Sequence, residues 1–319
     1  MIDGILLLDK PKGITSHDLV DEVRKILKQK RVGHTGILDP AATGLMVMLL
    51  GKGTLFSAHL TGSDKRYTAV IEFGKTTDTF DSEGKTVTQC DPGTVSEADF
   101  KTACEGFIGE INQLIPAYSA VKVKGKRMYK SAREGEEIPP KYKDVEIYDI
   151  EILSFDWPEV TIIIKCGPGT YVRSLAYELG QKLGVGAYLK KLVRTGVGKF
   201  NLKTAMQLDD LKQSHEDGQI LNVVKPLVEA LPDKPTITIR PEYYNSVLEG
   251  RPFIKRYLDH TDYKGPGGCI SLLLGPDKKV LAMAKLNYNW GSFNRLESRD
   301  VLGSYVRIID EGHLRNKRS

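Results

Sequence analysis

The chain has 319 residues, of which 40% are hydrophobic and 27% charged, ordinary figures for a soluble globular protein with a large core and room for two domains. No apolar run approaches the ~20 residues that span a bilayer. The opening MIDGILLLDKPKG lacks a basic stretch before its apolar run and a small-residue cleavage site, so neither a membrane segment nor a secretory signal is expected and the location reads as cytoplasmic. Four scattered cysteines (Cys90, Cys104, Cys166, Cys269) form no CxxC pair, so no zinc or redox motif is indicated and all four read as reduced thiols.

In chain order, Ile5 to Leu8 reads as a buried strand, and Lys10 to Ile14 as a strand-to-helix turn. Thr15 with Asp18 three residues on is a capping-box pattern. Leu19, Val20, Val23, Ile26 and Leu27 then recur at helical spacing, predicting a helix to about Lys28. RVGHTGILDPAATG is a structured loop with Gly33, Gly36 and Gly44 around Asp39, which Pro40 biases away from helical geometry. An apolar stretch from Leu45 to Leu50 and a helix containing Phe56 and Leu60 follow. Tyr67, Ala69, Ile71 and Phe73 alternate as in a strand, and TTDTFDSEG reads as a polar loop. Residues 96–109 read as helix, Val121 to Tyr129 as a hairpin around Gly125, and Val145 to Phe155 and Val160 to Cys166 as strands. GPGTYVRSLAYELG is a glycine-rich loop opening into a helix with Leu175, Leu179 and Leu183. This irregular alternation predicts an α+β fold with a mixed, largely antiparallel sheet flanked by helices. Prolines near residues 231 to 237 predict a boundary, giving domains 1–232 and 233–319, the second small and β-rich with strands at Cys269 to Leu274 and Val280 to Ala284.

The net charge of +5 is modest, but basic residues cluster. Lys28, Lys30 and Arg31 form one group, Lys122, Lys124, Lys126, Arg127 and Lys130 a second, and Lys190, Lys191, Arg194 and Lys199 a third. Such groups suit a polyphosphate partner or are plain solvated faces. Three side chains stand out for chemistry. Asp39 sits among small residues, in a loop where glycines let a ligand approach the backbone; an Asp before Pro is otherwise a turn former. Arg173 opens the helix after GPGT and is able to keep a carboxylate ionised and oriented, or is a helix-surface charge. Tyr67, at a strand start beside Lys65 and Arg66, offers a ring for a nucleobase, or is a half-buried strand tyrosine.

The stretch GHTGILDPAATGLMVMLLGKGTLFSAHLTGSDKRYTAVIEFGKTTDTFDSEG resembles the signature block of TruB-type tRNA pseudouridine synthases. KPKGITSHDLV before it, PAYSAVKVKGKRMYKSAREG after it, and GPGTYVRSLAYELG with LVRTGVGKF resemble further family motifs, in the family's order. The resemblance implies a pseudouridine synthase core followed by a small PUA-like RNA-binding domain, whose start PEYYNSVLEGRPF fits better than its end. It implies isomerisation of a uridine in the tRNA T-loop, with the T-arm as partner, no cofactor, no metal and a monomeric enzyme.

Roles follow by position. Asp39 matches the essential aspartate, Arg173 the arginine paired with it, and Tyr67 the tyrosine that stacks on the target base and is proposed as a general base. Tyr171 matches the tyrosine beside that arginine, His34 the residue that takes the space of the flipped nucleotide, and Leu192 an apolar wall of the uracil pocket. Lys12 and Gly13 match the first motif, and Asp81 an acidic loop position near the RNA. Val193 departs from the family, which carries a basic residue there. The rival readings are a glycosidase using Asp78 or Asp81 as second carboxylate, a non-catalytic RNA-binding or RNA-folding module, and a synthase acting on another RNA.

Overall fold

A computed structural model describes residues 1–119, 121–123, 126–134, 139–231, 233–275, 277–293 and 295–309. Strand β1 (Gly4–Lys10) is buried along nearly its whole length, as its continuous apolar run requires. Helix α1 (Ser16–Ile26) starts at the capping box: Thr15 Oγ1 accepts the Asp18 N–H, and the Asp18 carboxylate accepts the Thr15 N–H. The helix ends before the expected Lys28, which adopts a left-handed φ of 49°.

Strands β2 (Val32–His34) and β3 (Thr43–Leu50) flank the Asp39 loop. A 3-10 turn over Gly51–Phe56 leads into α2 (Ser57–Thr61). Strand β4 (Lys65–Phe73) buries Tyr67, Ala69, Ile71 and Phe73 in the alternation expected of it. The short strands β5 (Lys75–Thr77) and β6 (Thr86–Gln89) pair with each other. After α3 (Glu97–Glu105) come β7 (Gly109–Leu114), the paired β8 (Lys122–Val123) and β9 (Lys126–Arg127), and α4 (Met128–Arg133). The unit is completed by β10 (Tyr142–Asp156), β11 (Glu159–Cys166), α5 (Val172–Lys182), β12 (Ala187–Val197), β13 (Phe200–Asn201), α6 (Leu208–Glu216) and α7 (Ile220–Val223).

The central sheet runs β1-β3-β12-β4-β11-β10-β7, with β2 on β3 and β13 on β12. Among the described strands of this sheet only β3 and β12 pair in parallel, at Val193↔Thr43 and Arg194↔Gly44. The α+β, largely antiparallel expectation therefore holds. Helices α1 and α5 bury Leu19, Val23, Leu175 and Leu179 in one core with Ile71 and Ile162 of the sheet. The second sheet, in the order β15-β19-β18-β17-β14-β16, contains β14 (Thr236–Ile239), β15 (Phe253–Ile254), β16 (Leu258–Thr261), β17 (Ile270–Leu274), β18 (Val280–Leu286) and β19 (Val301–Ile308). Helices α8 (Tyr244–Leu248) and α9 (Trp290–Phe293) accompany it. Ile5, Leu7, Leu45, Val47 and Leu49 of the central sheet share a core with Leu272, Leu274, Val280, Met283 and Ile309.

Two expectations change, and a third is met only in part of its length. The helix expected over 96–109 stops at Glu105, and Gly109 opens β7, whose whole length pairs with β10. The region expected to be a polar loop, 76–84, is folded inward. Thr77 and Asp81 are buried, and Asp81 bridges to Leu189 of β12. The hairpin expected around Gly125 has its paired strands, but Lys124 and Gly125 lie outside the described residues.

Candidate active site

The β2–β3 loop is anchored on every side. Leu38 exchanges two hydrogen bonds with Ser16: its N–H donates to Ser16 Oγ at 2.8 Å, and Oγ donates to its carbonyl at 3.1 Å. The Pro40 carbonyl accepts from the Gly13 N–H at 2.8 Å and from Lys10 Nζ at 3.3 Å. Arg194, 1% exposed, donates to the carbonyls of Gly36, Ile37 and Leu45 at 3.3, 3.2 and 2.8 Å. Gly44 lets β3 meet β12: its φ is +106°, and a Cβ there would lie 2.4 Å from the Arg194 carbonyl oxygen. These ties from β1, α1 and β12 fix Asp39 within an irregular loop.

Arg173 enters on the first turn of α5 and meets Asp39 across 134 residues of sequence. Its Nε lies 2.9 Å from Asp39 Oδ2, and its Nη2 donates to Oδ1 at 3.3 Å. This two-point geometry fixes the carboxylate in orientation as well as charge. The rest of the guanidinium is used as well. Nη1 donates to the Thr79 carbonyl at 3.1 Å and lies 3.5 Å from Asp81 Oδ2, and Nη2 donates to the Tyr118 carbonyl at 3.1 Å. Asp81 is in turn held by the Thr79 hydroxyl at 2.5 Å and the Glu83 N–H at 3.0 Å. Asp81 faces the arginine from a buried position, so it is a partner of the ion pair more than an exposed acid.

A narrow cleft opens over this pair, lined by Asp39, Ala41, Ala42, Asp81, Ser82, Arg173 and the β12 segment from Leu189 to Leu192. Asp39 keeps 39% of its side chain exposed, against 6% for Arg173. Crowding by protein still pushes the Asp39 carboxyl above its ordinary range; Arg173 opposes this, Asp81 adds to it, and Lys10 opposes it. A β-bulge at Lys190 bends β12 beside the cleft. Leu192 is half-buried in that wall.

Tyr67 lies on β4 opposite Arg194 in the register and is 8% exposed. Burial pushes its phenol up; the hydrogen-bonded guanidinium of Arg194 opposes this, and the phenol also feels the charge of Asp39. Tyr67 therefore belongs to the floor of the site and does not line the open cleft. Tyr171 is the residue before α5, with its N–H donating to Gln113 Oε1 at 2.8 Å and its phenol, raised by burial, hydrogen-bonded to Ser119. His34 is half-buried at the end of β2, and its Nδ1 accepts the Gly36 N–H at 3.2 Å. Burial lowers its pKa, so the ring is neutral at neutral pH. Lys12 is exposed on the β1–α1 turn.

Two site residues escaped the sequence reading. Lys10 is fully buried beneath the loop, where it donates to the carbonyls of Pro11, Ile14 and Pro40. Burial pulls its ammonium down to about 8, against the charge of Asp39. A lysine closing the apolar run GILLLDK was the available signal. Arg194 is the other, and it corrects the third basic group. It is interior, Lys190 pairs with Glu72 at 2.7 Å and with Glu159, and Lys199 pairs with Asp233. Only Lys191 of that group remains an exposed cation without an ion pair among the described residues. Lys28, Lys30 and Arg31 are exposed, as a phosphate-facing group needs. In the second group Lys124 lies outside the described residues, as do the side chains of the others.

Comparison with known proteins identifies the family. Residues 24–172 match the family described as TruB family pseudouridylate synthase (N terminal domain), and residues 173–232 match the tRNA pseudouridylate synthase B C-terminal domain. A tRNA pseudouridine synthase B of Dehalococcoides mccartyi is 45% identical over 251 residues, covering 78% of this chain and 83% of its own. The protein of that name from Oleidesulfovibrio alaskensis is 39% identical over 286 residues, covering 89% and 92%. The fold is shared with a chain of an H/ACA RNP bound to a substrate RNA containing 2′-deoxyuridine (TM-score 0.75, 23% identity, 96% of this chain and 85% of that one). A chain of a Cbf5–Nop10–Gar1 complex is equally similar (TM-score 0.74, 25% identity, 96% and 85%). With the Asp39–Arg173 pair in its cleft and relatives of this identity over most of its length, the chain belongs to the TruB family of pseudouridylate synthases.

Proposed function

We propose that this protein isomerises a uridine in the T-loop of tRNA to pseudouridine, with Asp39 as the catalytic carboxylate. The observation that carries the reading is the two-point contact between Arg173 and Asp39 at the bottom of a cleft. Moving uracil from an N1 to a C5 attachment breaks and remakes one glycosidic bond, with no net redox change. An oriented anion against the ribose or the base is what that chemistry needs. Asp39 serves as that anion by attack on the ribose C1′, attack on the uracil C6, or abstraction of a ribose proton. Arg173 keeps it ionised against the crowding of its site.

The target base is extruded from the T-loop to reach the cleft. His34, neutral and pinned by Gly36, suits the space the base leaves, and Leu192 limits water beside the glycosidic bond. Tyr67, buried in the floor beneath the cleft with its phenol raised, is disfavoured as a phenolate base at neutral pH, which leaves a water to take the C5 proton, and its ring backs the site from below. Tyr171 supports the Arg173 end of the cleft, Asp81 orients Arg173, and Lys12 meets phosphate at the rim. On this reading residues 1–232 are the catalytic domain and 233–319 a PUA-like RNA-binding domain. The enzyme acts as a cytoplasmic monomer without cofactor.

The test is incubation with an unmodified T-arm stem-loop, followed by chemical mapping of pseudouridine and mass analysis. The expected result is one new pseudouridine at unchanged RNA mass. Asp39→Asn is expected to make none while binding tRNA and folding as the wild type does. Turnover by that variant, or loss of the base from the RNA, overturns the reading.

A further inference from the structure

Ile37 stands two residues before Asp39 and is 62% exposed. Its neighbours Thr35 and Leu38 turn inward, at 1% and 4% exposure. An isolated apolar side chain on a surface is ordinary and by itself means little. The loop that carries Ile37 is not ordinary, because its polar backbone atoms are tied down on both sides of the residue. Arg194 holds the carbonyls of Gly36 and Ile37, and Ser16 holds both backbone groups of Leu38. The backbone that carries the Ile37 side chain is therefore held in place. The side chain projects outward from it, and as a β-branched one it has restricted χ1. The pinned ring of His34 lies on the other side of Gly36.

A rigid aliphatic side chain presented next to the acid suits the task of separating stacked bases. Proteins that kink or unstack nucleic acids insert Ile, Leu, Phe or Met between base steps, and the buried apolar area offsets the lost stacking. We propose that Ile37 is a substrate-positioning wedge that enters the T-loop stack beside the extruded uridine, alongside His34. The proposal rests on the T-loop reading above and adds a second contact to it. Preorganisation is the point: no ordering cost falls on the loop when the RNA arrives.

The test uses the full chain and a T-arm stem-loop carrying 2-aminopurine next to the target uridine, whose fluorescence rises on unstacking. Ile37→Ala is expected to keep the wild-type Tm, because the side chain is exposed. It is expected to slow both the fluorescence rise and single-turnover pseudouridine formation about tenfold or more. Ile37→Met is expected to restore most of the rate. On a short unstructured oligonucleotide with the same sequence, where there is no stack to open, Ile37→Ala is expected to match the wild type. Equal rates for Ile37→Ala and wild type on the stem-loop overturn the proposal. Equal losses on both substrates also overturn it, since they would mark a local structural effect. Absence of pseudouridine with the wild-type protein on the stem-loop would instead remove the T-loop reading, and this inference with it.

Discussion

Replacing Arg173 with Met keeps an unbranched side chain but removes five contacts at once. Two go to the Asp39 carboxylate, two to the carbonyls of Thr79 and Tyr118, and one to Asp81. Deleting one partner of a buried ion pair costs about 3–5 kcal/mol, because the other charge is left uncompensated. The structure places this case near the lower end. The Asp39 side chain is 39% exposed and recovers water, whereas Asp81, at 11%, does not. A loss of about 3 kcal/mol is therefore expected, a large share of a typical folding stability of about 5–15 kcal/mol. Asp81→Asn in the Arg173→Met background removes the stranded charge and is expected to return about 1–2 kcal/mol of that loss. Neither variant is expected to make pseudouridine. Urea unfolding at neutral pH reads both values as midpoint shifts at constant slope. A single variant that loses under about 1 kcal/mol, or a double variant less stable than the single, refutes the view of Arg173 as the hub of two acids.

Two further outcomes follow from the same geometry. The raised Asp39 carboxyl predicts that kcat/KM climbs through an acid limb centred above the ordinary aspartate value of about 3.9. Asp81→Asn, by removing a like charge, is expected to move that limb to lower pH. Stability runs the other way: the folded chain holds this proton more tightly than the unfolded one. The stability from this group is thus full at low pH and lost as pH rises through the folded value. A pH–rate profile with its acid limb at or below the ordinary value contradicts this. Gly44→Ala would place a Cβ 2.4 Å from the Arg194 carbonyl oxygen at a φ of +106°. The expected cost is at least 2–3 kcal/mol by order of magnitude, with a lowered Tm and a displaced Asp39 loop; an unchanged Tm would show that the β3–β12 seam can yield.

Strands with clean alternation were legible from sequence, β4 and β11 above all, because each shows one face to the core and the other elsewhere. The cap of α1 was legible for a local reason: Thr15 and Asp18 satisfy each other within one turn. Asp39 was legible through its small neighbours and its motif. The groups that hold it were not. Ser16, Lys10 and Arg194 act through backbone carbonyls of residues distant in sequence, and a hydrogen bond to a carbonyl leaves no residue-type signature on the accepting side. Arg194 was misleading as well as silent, since an arginine following two lysines reads as surface charge until β12 is seen to run through the middle of the sheet. The inward fold of residues 76–84 was hidden in the same way, because Asp81 is drawn in by Arg173 and by the bridge to Leu189, both distant in sequence.

The apolar seam between β1 and β3 on one side and β17 and β18 on the other has a mechanical consequence. Side chains such as Leu45, Val47, Leu272 and Met283 are shared property of both sheets, so the two halves brace each other like the arms of a caliper locked at one opening. A chain cut near residue 232 would bare this apolar flank to solvent, inviting self-association.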